Sequence, residues 1–155
     1  MVAAAGKPPT ARTQSSMSGI VERIAIHESG HAVVALVTGL GVRFASIEVG
    51  REEVVTDWRR SRVQRPCIEE RVMFHIAGWA AERRYAPALT QWHNSRDDFD
   101  RADELLQCRD AALLMRETDD LIRQHWPVVE VIARALLERT TLSGEEILEV
   151  ARFAR

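Results

Sequence analysis

The sequence predicts a mainly helical domain that carries one small β element. Three observations lead there. Apolar residues recur at helical spacing over most of the chain, strict alternation is confined to one short run near residue 45, and the 155 residues hold no repeat or low-complexity core segment. That length suits one compact domain rather than two.

Met1 to Met17 is rich in Ala, Pro, Ser and Thr, carries Lys7 and Arg12, and has no acidic residue. It lacks the apolar core of a secretory signal and reads as a disordered tail over 1–17, with the domain spanning 18–155. From Gly19 to Thr38, Ile20, Ile24, His27, His31 and Val34 fall on one helical stripe. Ser18 or Gly19 can cap its start, and Gly39 and Gly41 punctuate its end. Val42 to Gly50 alternates as a strand, and Glu53 to Trp58 can pair with it. Arg59 to Arg65 reads as a basic, solvated loop, and Pro66 suits the first turn of a second helix ending near Tyr85. After a loop over Ala86 to Ser95, capped by Asn94 or Ser95, a long third helix runs from Arg96 towards Gln124 with room for a break midway. A fourth spans Trp126 to Arg139, and Ser143 with Glu146 has capping-box spacing for a short fifth.

A net charge of -2 gives no electrostatic case for nucleic acid, and no apolar run approaches the roughly 18 residues of a membrane span. Cys67 and Cys108 lie far apart and outside any C-x-x-C pair, and read as reduced, buried thiols. The expectation is a cytoplasmic protein with neither membrane nor nucleic-acid partners.

The run His27-Glu28-Ser29-Gly30-His31 is H-E-x-x-H on a helix. Residues i and i+4 lie one turn apart on one face, so both imidazoles can reach one ion. Zinc accepts neutral imidazole nitrogen and keeps a position open for water, whose proton Glu28 would remove as general base during attack on a peptide carbonyl. Two histidines on a stripe otherwise made of Ile and Val would be a costly way to build a core, because each needs a polar partner. Gly30 allows another segment to approach closely.

A catalytic zinc takes three protein ligands as a rule. Position 37 is Val, so no third histidine follows six residues after His31, and the ligand must come from another segment. The candidates are His75, His93, Asp97, Asp98, Asp100 and several glutamates. Asp98 precedes Ala102 and Leu105 by one and two turns, in line with an inward stripe of Phe99, Ala102, Leu105, Leu106 and Leu113. Asp97 aligns with Arg101 and Glu104, and Asp100 with Asp103 and Glu104, as on a solvated face. Asp98 is thus the first choice, although it can equally be a helix N-terminal charge or a partner of Arg101, and His93 is the next choice.

Four segments, in order, resemble the protease domain of the FtsH-type ATP-dependent zinc metalloproteases. I-A-I-H-E-S-G-H-A-V-V-A-L at 24–36 is similar to that family's zinc motif, and I-A-G-W-A-A-E-R at 76–83 to its G-G-R-A-A-E-E helix. S-R-D-D-F-D-R-A-D-E-L at 95–105 resembles the segment with the third zinc ligand, and A-L-L-E-R-T-T-L-S-G-E-E-I at 135–147 its closing segment. The resemblance implies a helical zinc-peptidase fold, Zn2+ as cofactor, His27, His31 and Asp98 as ligands, and Glu28 as catalytic base. Ser29 and Trp79 depart from the family's usual Ala and Arg without removing a group the chemistry needs. The chain has no phosphate-binding G-x-x-x-x-G-K-[ST] and no membrane helices, so the resemblance does not extend to ATP-driven unfolding.

The expected function is hydrolysis of peptide bonds in unfolded or flexible polypeptides, with the strand at 42–50 accepting the peptide by edge pairing. The alternatives are a non-catalytic regulatory module retaining structural zinc, closed by a fourth ligand such as His93, and a peptidase subunit served by a separate ATPase or organised as a homo-oligomer. Glu82 matches a family glutamate and can orient a ligand imidazole or pair with Arg83 or Arg84. His75 reads as packed, Trp58, Trp92 and Trp126 as packing anchors or groove linings, and Arg59, Arg60, Arg62 and Arg65 as a solvated cluster.

Overall fold

Eight consecutive residues of the first helix, from Glu28 to Ala35, are buried. A helix buried on every side cannot show a one-sided apolar stripe, which is why Ser, Gly and His stand among its Ala and Val residues. In the computed structural model, which describes residues 11–57, 67–106 and 110–154, this helix, α1 (Ala11–Thr38), forms the centre of the molecule. It reaches back to Ala11 rather than starting near Ser18, so the tail expected over 1–17 is helical in its second part, while residues 1–10 lie outside the described ones. Trp58, Arg59, Arg60, Arg62, Arg65, Cys108 and the side chain of His93 also lie outside the described residues.

Gly39 ends α1 at φ +79°, and β1 (Val42–Glu48) and β2 (Arg51–Thr56) follow as an antiparallel hairpin, with Glu48 opposite Arg51 and Gly50 at φ +81° in the turn. A register shift between Val42 and Phe44 changes the phase of β1. Val42 is therefore buried along with Ala45 and Ile47, where unbroken alternation would put them on opposite faces. β2 begins two residues earlier than the sequence pattern indicated.

α2 (Ile68–Tyr85) crosses α1 at close range, where a Cβ on Gly30 would come within 2.6 Å of the Ala77 carbonyl oxygen and 2.7 Å of Ala81 Cβ. After a single 3-10 turn, Trp92–Ser95, the expected long helix is two: α3 (Arg96–Leu106) and α4 (Ala111–Gln124). The Ser95 hydroxyl has no hydrogen-bond partner, so it does not cap α3. Leu113, expected on the buried stripe, sits exposed on α4, because the break between the helices resets the helical phase.

α5 (Trp126–Arg139) lays Val129, Ile132, Ala133 and Leu136 into the core against α1. Thr140, at φ +60°, turns the chain so that its carbonyl accepts from Ile47 N at 2.8 Å and β3 (Thr141–Ser143) joins the sheet. The strand order is β2-β1-β3. α6 (Gly144–Arg152) then starts from the expected capping box of Ser143 and Glu146. The architecture is mainly helical, six α-helices and a small antiparallel sheet among the described residues. No described helix is long and apolar enough to cross a membrane. Cys67, expected to be buried, is exposed just ahead of α2, where the Glu70 carboxylate accepts its backbone N–H at 3.0 Å.

Candidate metal centre

His27 and His31 project from one face of α1, one turn apart, and Asp98 meets them from the first turn of α3. His27 Nε2 lies 3.1 Å from His31 Nε2 and 3.2 Å from Asp98 Oδ2, and the third edge of the triangle, His31 Nε2 to Asp98 Oδ2, is 3.4 Å. Ligands bonded to one zinc at about 2.0–2.1 Å in tetrahedral array stand about 3.3–3.4 Å apart. The three atoms are therefore spaced to hold such an ion. Position 78 supports the same reading from the other side. A Cβ there would fall 2.5 Å from His31 Nε2 and equally close to the His27 ring, so only glycine leaves the two nitrogens room.

Each imidazole is fixed from behind. His31 Nδ1 donates to the Phe74 carbonyl at 2.6 Å; a carbonyl only accepts, so Nδ1 carries the proton and the Nε2 lone pair is left for the cluster. His27 Nδ1 lies 3.4 Å from Glu82 Oε2. The other Glu82 oxygen accepts from Arg23 Nε at 2.9 Å and from a second nitrogen of the same guanidinium. Arg23 is thus the anchor that orients Glu82, a partner the sequence reading missed; Arg83, one of the two expected, pairs with Asp119 instead. Outer partners of this kind set the tautomer and direction of a metal-binding imidazole.

The charges are strongly coupled. Burial works to lower the His27 pKa, but hydrogen bonds to Asp98 and Glu82 and the nearby Glu28 outweigh it and raise it to about 9. Burial likewise opposes ionisation of Asp98 and Glu82. The histidines at Asp98, and His27 with Arg23 at Glu82, prevail and hold both carboxyls below their usual range. Glu28, only 5% exposed, behaves oppositely: burial raises its pKa despite the two histidines nearby. A carboxylate raised towards neutrality is better suited to accept and return a proton.

The cluster opens into a cleft of about 680 Å³. Glu28, His75 and Arg101 line it together with Glu52, Glu53 and Val54 of β2. Among the other candidates, Asp97 is exposed at the rim and Asp100 is exposed and pairs with Arg96. His75 stands apart from the three-residue group. Neither described groove tryptophan lines the cleft: Trp92 is 65% exposed, and Trp126 packs under Arg84. β1 is the central strand of the sheet, so it cannot accept a peptide as expected; among the described residues the outer edge beside the cleft belongs to β2.

No model of a known family matches the chain, and no curated protein matches its sequence.

Proposed function

We propose that the chain is a zinc-dependent metallopeptidase acting on unfolded or flexible polypeptide segments. The observation that carries this reading is the His27–His31–Asp98 triangle with the buried Glu28 beside it on an open cleft. The resemblance of four segments to the FtsH-type proteases supports it independently of the geometry.

A zinc ion bound by these three residues would lower the pKa of water in its open position and polarise a carbonyl. The chain's own residues do the rest. A substrate segment pairs with the outer edge of β2 and is thereby held extended across the cleft. As the water oxygen bonds the carbonyl carbon, its proton passes to a Glu28 carboxylate oxygen and the π pair moves onto the carbonyl oxygen. When that pair returns, the C–N bond breaks, and Glu28 delivers its proton to the leaving nitrogen. Arg23, Glu82 and the Phe74 carbonyl hold the imidazoles still meanwhile. A zinc site of purely structural use is closed by a fourth protein ligand and has no use for Glu28.

The test is metal content and cleavage of casein or fluorogenic peptides, for the native chain and Glu28→Gln. The expected result is one zinc per chain in both, with kcat about 10²–10⁴-fold lower in the variant, the usual contribution of a general base. Absence of zinc in both, or equal turnover, refutes the reading.

A further inference from the structure

Among the described residues, two buried side-chain polar atoms have no hydrogen-bond partner, His75 Nδ1 and Ser95 Oγ. Both residues line the same cleft. Folded proteins satisfy nearly all such groups, so a shortfall concentrated at one cleft marks surfaces shaped for something other than the fold's own stability. Ser95 is only 3% exposed, three residues ahead of Asp98. His75 follows Phe74 on α2. Their rings meet edge-on at 5.3 Å, and the Phe74 ring lies 5.1 Å from that of His31. The sequence reading took His75 for a packed residue, yet its ring is only half-buried and borders the cleft.

The ring's tautomer follows from its surroundings. A buried N–H without an acceptor is rarer and costlier than a buried lone pair, so the unpartnered Nδ1 is best left unprotonated and the proton placed on Nε2. With Nδ1 covered, Nε2 is the nitrogen of this cleft-lining ring left available to a ligand. Burial first, and then the adjacent His31, push the His75 pKa down to about 4, so the ring is a neutral donor at physiological pH.

Resting on the peptidase reading, we propose that His75 is a further catalytic residue, donating a hydrogen bond from Nε2–H to the scissile carbonyl oxygen as negative charge builds on it. A preorganised donor aimed at developing charge acts in the transition state more than in the ground state. Arg101, on α3, also lines the cleft but is exposed, so its longer side chain is less constrained and serves the role less well.

Three measurements on the full chain test this. Nitrogen-15 NMR of the zinc-free protein reads the tautomer: protonation of His75 at Nε2 is expected, and protonation at Nδ1 overturns the proposal. In the zinc-loaded protein, His75→Phe keeps an aromatic ring against Phe74 and removes the donor. His75→Gln keeps a donor at the reach of Nε2. The expected result is a kcat about 10²-fold lower for the Phe variant with KM and zinc content unchanged, and recovery of a large part of it by Gln. Equal impairment of both, or wild-type kcat in His75→Phe, overturns the proposal, as does a greater loss in Arg101→Met. Binding of a phosphinic peptide, a stable mimic of the tetrahedral adduct, should weaken in His75→Phe by a similar factor. If the native chain cleaves nothing, the peptidase reading has failed on its own; equal phosphinic-peptide affinity of native and Phe forms then overturns the role of His75 as well.

Discussion

On the α1 side of the cluster, both imidazoles are gripped from behind, His31 by the Phe74 carbonyl and His27 by Glu82, itself held by Arg23. On the α3 side, Asp98 is 23% exposed, and the two histidines themselves are its partners among the described residues. α3 has 11 residues; Ala102 is fully buried, and Phe99, Leu105 and Leu106 pack half-buried against the core, Phe99 edge-on with Trp79. The two sides differ in what a metal would contribute. Both imidazoles are preorganised by partners behind them, whereas the Asp98 carboxylate is held in the cluster by the histidines it faces.

That contrast can be broken most severely at Gly78. Gly78→Ala places a methyl group against both histidine rings, and their outer hydrogen bonds leave them little freedom to yield. We expect a loss of about 1–3 kcal/mol of stability, typical of overpacking, and zinc content well below one per chain, read by denaturant titration and metal analysis. Next in size, stripping zinc from the loaded protein should speed amide hydrogen exchange in α3 far more than in residues 27–35 of α1. Equal protection on both sides would remove the asymmetry.

A pH series sharpens it further. The His27 pKa, raised from 6.5 to about 9, makes its ion pairs fully stabilising below pH 6.5 and ineffective once the pH has risen through 9. The melting temperature of the zinc-free chain should therefore fall between pH 6.5 and 9. Zinc needs the neutral imidazole, so its affinity should rise over the same range, measurable by competition with a chelator. The smallest effect is expected far from the cluster. Ser143→Ala removes the α6 cap, in which Ser143 Oγ accepts from Glu146 N at 3.3 Å, and should cost about 1 kcal/mol without altering zinc affinity.

Local spacing is what the sequence displays best, and the α1 side was accordingly the more legible. His27, Glu28 and His31 are fixed relative to one another by helical geometry alone. Asp98 could be singled out because it leads an inward stripe on its own short helix, and the FtsH-type resemblance falls on the same residue. Arg23 was invisible, since its partner Glu82 is 59 residues away and any surface arginine looks alike in sequence. Gly78 carried a signal that could have been read: a glycine inside an otherwise helical segment, costly for the helix and so in need of a packing reason. In the sheet, alternation located β1, but the register shift near Val42 hid which residues it buries, and β3, with three residues, is too short to leave a pattern.

The outer edge of β2 has a further consequence. A strand edge with no partner among the described residues attracts any extended chain, including another copy of the same protein, and so invites edge-to-edge aggregation. Arg51, Glu52 and Glu53 are all exposed along the first half of this strand, and Glu52 also binds the Gly50 N–H at 3.1 Å. Charged side chains along an edge disfavour its pairing with a second copy, which would have to desolvate them. Self-association through this edge is thereby penalised.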